Sequence, residues 1–93
     1  MDKAKQEELL KQALDEIPHL RGLHFRNGEF TMWKNKASRM LESAYGLESI
    51  EYRRFVNAPG KAFIVLTEMG QEQEYNRQLD CYEEALKSLI ASN

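Results

Sequence analysis

Phe30-Thr31-Met32-Trp33-Lys34-Asn35-Lys36-Ala37-Ser38-Arg39-Met40-Leu41-Glu42-Ser43-Ala44-Tyr45 is the stretch on which the fold turns. Phe30, Trp33, Ala37, Met40, Leu41 and Ala44 return at steps of three and four, so they share one face of a helix. Lys34, Lys36, Ser38, Arg39 and Glu42 fall elsewhere. Both ends are marked. Asn27 or Gly28 can cap the start, and Glu29 sits in the first turn near the positive end of the dipole. Gly46 follows Tyr45 where a left-handed residue closes a helix, which predicts a helix over 29–45.

Toward the C-terminus, Ser49 reads as a new cap opening a short helix over 49–56 through Tyr52 and Phe55. Asn57-Ala58-Pro59-Gly60 closes it with turn residues. Farther on, Tyr75, Leu79, Tyr82, Leu86 and Leu89 form a helical seam, widened by Ala85 and Ile90, which predicts a helix over 71–91. Extended backwards, the seam meets the polar Glu72 and Glu68, and Gly70 divides it from the β-prone Phe63-Ile64-Val65-Leu66. A lone strand needs a partner, and no other segment alternates, so 62–69 reads as a short buried helix or an extended piece.

Toward the N-terminus, Leu9, Leu10, Ala13, Leu14 and Ile17 give a helix over 3–17 capped by Asp2, its first two turns projecting into water. Pro18 ends it, because a residue before proline is pushed out of the helical region. His19 to Gly28 is a connection whose Leu20, Leu23 and Phe25 are too apolar to lie free of the core. The expected architecture is all-α: one domain over 1–93, with three main helices and one short one packed antiparallel around Trp33. A chain of 93 residues cannot divide into two cores that each fold unaided.

The cluster Phe30-x-x-Trp33-Lys34, then Ala37, Leu41, Tyr45-Gly46, Ser49, Tyr52 and Phe55, resembles a small helical module of uncharacterised prokaryotic proteins. In some of them this module precedes a TIR-like predicted nucleotide-binding domain. Tyr75 through Ala85 to Ile90 resembles the closing helix of the same modules, while Ala62–Leu66 has no place in the pattern. The resemblance implies a prokaryotic origin and an accessory or interaction role, and nothing enzymatic is carried over.

The chemistry-bearing residues are sparse. His19 and His24 stand five apart around a glycine and do not share a helix face as an H-x-x-x-H pair would, so no metal site is expected. The single cysteine, Cys81, permits no internal disulfide and reads as a passive, partly buried thiol with Arg77 one turn earlier. The glycines form no phosphate-binding loop, and no serine sits in a nucleophile elbow. No cofactor is expected. The absence of a signal-like apolar start, and an apolar run of only Ala62 to Leu66, suggest a soluble cytoplasmic protein.

Three functional readings remain. The first is a non-enzymatic interaction or accessory module, binding a protein partner or itself through the last helix, with Phe63, Tyr75, Leu79, Arg53 and Arg54 as its candidate surface. The second is a nucleic-acid accessory protein using Arg21, Arg26, Lys34, Lys36, Arg53 and Arg54. Between Arg21 and Arg54 seven basic residues face four glutamates, although the chain as a whole carries -2. Phe30, Trp33, Tyr45, Tyr52 and Phe55 are interleaved with those cations, as on a single-strand-binding surface, yet their helical spacing fits a core better. The third is a small enzyme, which would need His19 or His24 gathered with Cys81 or a carboxylate.

Overall fold

The computed structural model describes residues 2–61 and 66–92, and within them every regular element is a helix. The order is α1 (Lys3–Asp15), α2 (Ile17–Arg21), α3 (Glu29–Tyr45), α4 (Ile50–Val56) and α5 (Glu68–Ser92). The protein is thus a small all-α bundle. α5 runs its length and packs against α1, α2 and α4, and α3 packs against α1 and α4.

Asp2 caps α1, its Oδ1 accepting the Lys5 N–H at 2.8 Å. The second turn is held to the bundle, contrary to the expectation that it projects freely: Gln6 Nε2 donates to the Ala44 carbonyl at the far end of α3, at 3.0 Å. α1 stops at Asp15, two residues earlier than expected, and the chain re-enters a helix at once. The expected mechanism does not operate, because Ile17 before Pro18 is itself helical; Pro18 lies in the first turn of α2, where a missing N–H leaves no bond unmade. The expected connection therefore begins with a helical turn that buries Ile17 and Leu20. Leu23 and Phe25 then pack, half-buried, against the core.

Asn27 organises the entry to α3. Its Oδ1 accepts the Phe30 N–H at 2.8 Å, and its Nδ2 donates to the Tyr75 hydroxyl at 3.1 Å. α3 buries Phe30, Trp33, Ala37 and Leu41 and ends at Gly46, whose φ of 100° suits only glycine without strain. The Ser49 Oγ then accepts the Tyr52 N–H at 3.1 Å and donates to the Gly46 carbonyl at 2.7 Å, starting α4.

α5 begins earlier than the sequence suggests. Gly70 lies inside it, because Thr67 Oγ1 accepts the Gly70 N–H at 3.1 Å and opens the helix three residues before the expected start. Residues 62–65 of the uncertain segment lie outside the described residues. Leu66 is not buried but 91% exposed, and Met69 is exposed on the first turn of α5, so this end of the segment is no core element.

The core is built on aromatic rings. Trp33 meets Phe55 at 5.7 Å and Tyr82 at 5.5 Å edge to face, and Phe30 meets Tyr75 at 5.1 Å. Leu10, Ile17, Leu41, Leu79 and Leu86 fill the space around them. Among the described residues no polar or charged residue is buried. The polar parts of the core aromatics are matched: Trp33 Nε1 donates to the Ala13 carbonyl at 3.1 Å, and the Tyr75 hydroxyl donates to the Leu20 carbonyl.

Candidate interaction surface

The seam proposed for self-association is spent inside the molecule. Tyr75 is 7% exposed and Leu79 fully buried, because α5 turns this face onto α1, α2 and α4. A periodic apolar stripe reads the same from sequence whether its partner helix lies in the same chain or in another. Phe63 lies outside the described residues. Arg53 and Arg54 are exposed on α4, without an acidic partner among the described residues.

The other basic residues do not gather into one open face. Arg21 reaches Asp80 at 2.6 Å and Glu83 at 3.4 Å on α5. Partial burial works against its charge, but the hydrogen bonds and charges of those two carboxylates outweigh this and hold its pKa above the ordinary value. Arg26 stands 3.6 Å from Glu68, Lys36 stands 3.3 Å from Glu16, and Lys34 lies over the Phe30 ring at 4.5 Å. Phe30, Trp33 and Phe55 are core residues, and Tyr45 and Tyr52 are half-buried against the core, so none of these five rings offers an exposed stacking platform beside the cations.

His19 and Cys81 lie in different hollows, one beside α3 and one between α4 and α5. His24 stacks on Phe25 and accepts the Arg26 N–H at 3.0 Å. Cys81 is half-buried, with Arg77 Nη1 at 3.8 Å from its sulfur. Arg77 chiefly ties down the α4–α5 connection, donating to the Pro59 carbonyl at 2.9 Å while it pairs with Glu74. The described residues contain no cluster of three or more potential metal ligands.

What the sequence did not reveal is a furrow between α1 and α3. A hollow of about 480 Å³, floored by Leu20 and Trp33, lies where the α1–α2 elbow faces α3. A second, of about 250 Å³, continues it between Ala13 and Met40, and Asp15, Glu16 and Lys36 line both. Met32, 71% exposed, stands at its edge. Two polar contacts cross between the walls, His19 Nε2 to the Glu29 carboxylate at 3.5 Å and the Glu16–Lys36 ion pair at 3.3 Å. In the sequence Met40 reads as part of the α3 stripe and Met32 carries no signal, because the furrow they border exists only once α1 lies beside α3.

No protein-family model, curated protein or solved structure matches this chain. Among the described residues no helix is long and apolar enough to cross a membrane.

Proposed function

We propose that this is a non-enzymatic helical interaction module that works by presenting apolar surface to a protein partner. The observation that carries this reading is the contrast between core and surface. Among the described residues the core buries no polar or charged residue, while Met32, Leu47, Ile50, Val56, Leu66 and Met69 stand exposed. Self-association through the α5 seam is not part of this reading, because that seam is already covered.

Nucleic-acid binding is the weaker alternative, since Arg21, Arg26 and Lys36 are engaged by carboxylates and the net charge is negative. The prokaryotic, accessory role rests on the sequence resemblance alone.

Affinity capture from the chain's own cells tests the proposal. The wild type and a variant carrying serine at Met32, Leu47, Ile50, Val56, Leu66 and Met69 are compared after both are shown to melt cooperatively. A stoichiometric partner held by the wild type and lost by the variant is expected. Equal retention, or no stoichiometric partner at all, contradicts it.

A further inference from the structure

We propose that the furrow between α1 and α3 is the docking groove for a basic amphipathic helix of a partner protein. This deepens the interaction-module reading and rests on it. The two hollows share three lining residues and therefore run into one another. On the α3 side Met32, Lys36 and Met40 succeed one another four residues apart, so the furrow follows α3 for about 12 Å. A helix docked by its apolar face needs anchors at i, i+4 and i+7, a span of about 10.5 Å, which that length accommodates. The methionines at the two ends have flexible side chains that can close over anchors of different shape.

Charge selects the partner's other face. The furrow itself carries Asp15, Glu16 and Glu29 against Lys36 and His19, and an adjoining hollow on α1, which shares Gln12 and Asp15 with it, adds Glu7 and Glu8 against Lys11. Glu7 is engaged by Lys11 at 3.4 Å, whereas Glu8 and Asp15 have no cationic partner among the described residues. The Glu16–Lys36 pair is exposed, so a partner lysine can exchange into it at little cost. A helix with leucine-type anchors and flanking lysines or arginines therefore complements both floor and rim. A second copy of this chain fits less well. Its short basic helix α4 has only seven residues and commits Phe55, with Tyr52 alongside, to its own core.

The test uses a fluorescent four-turn leucine–lysine peptide with leucines on one helical face, and the same peptide with glutamate in place of lysine. Anisotropy at low salt should give saturable binding of the lysine peptide with a dissociation constant of about 10 µM, and none of the glutamate peptide. Met32→Lys and Asp15→Lys, both at exposed positions, should each weaken binding about tenfold with unchanged melting temperature. Glu72→Lys on α5, outside the furrow, should leave binding within about twofold. Equal binding of the glutamate peptide, an equal loss in Glu72→Lys, or no saturable binding by the folded protein overturns the proposal. Amide shifts confined to 47–56 also overturn the groove, but leave the interaction-module reading standing. A mass above the monomer that Met32→Lys abolishes places a second copy in the furrow and overturns the basic-helix occupant.

Discussion

Two tyrosines show what single side chains do here. The Tyr75 hydroxyl joins three parts of the chain, donating to the Leu20 carbonyl of α2 and accepting from Asn27, which in turn caps α3. Tyr75→Phe keeps the ring in place and removes only this junction. It should cost about 0.5–1.5 kcal/mol in urea unfolding, the net worth of one hydrogen bond, since the Leu20 carbonyl keeps the Leu23 N–H at 3.2 Å. Tyr82 gives a pH dependence. Burial pushes its phenol up, with the nearby Cys81 charge adding to the shift. The folded state therefore holds its proton at pH values where the unfolded chain has lost it. The stabilisation is fully present below the ordinary tyrosine value of about 10 and is lost as pH rises from there through the folded value. Melting temperature should fall more steeply above that pH in the wild type than in Tyr82→Phe; parallel curves would contradict it.

At the scale of elements, helix ends decide the topology. α3 ends at Gly46, in a region of backbone space nearly closed to other residues, whereas Gly28 before it has ordinary dihedrals and open space around its α-carbon. Gly46→Ala should cost about 1–3 kcal/mol and Gly28→Ala close to nothing, as read by chemical denaturation. Much of this was legible beforehand. The α3 stripe, the Ser49 cap, the Gly46 stop and the α5 seam all appear as local patterns; most of the apolar residues they nominate are buried, while Met40, Ala44, Tyr52, Ala85 and Ile90 are only half-buried. Pro18 and Gly70 were harder, because each is a breaker whose effect depends on register. Pro18 lies in the first turn of a helix rather than ending one, while Gly70 lies inside a helix that Thr67 has already opened. A single interior glycine costs only about 1 kcal/mol, which a 25-residue helix packed along the bundle overrides.

For the molecule as a whole, what matters is which residues different elements bring together, and this was least legible. Periodicity identified the face of α5 but not its partner, so Tyr75 and Leu79 read as available surface when they complete the core. Charge counting showed a basic middle but not the carboxylates of α1 and α5 that reach back to Arg21, Arg26 and Lys36. With those cations engaged, gel-shift assays at low salt should show no salt-dependent retardation of DNA or RNA, and a clear shift would revive the nucleic-acid reading. The furrow joins Asp15 and Glu16 to Met32 and Met40 only once α1 lies along α3. Amide-shift mapping of the folded protein during titration with the leucine–lysine peptide tests its role most directly. Saturable shifts should concentrate on Gln12 to Glu16, Met32, Lys36 and Met40 and vanish in Asp15→Lys. Shifts centred on Ile50 to Val56, or none at saturating peptide, would contradict the binding role assigned to the α1–α3 face.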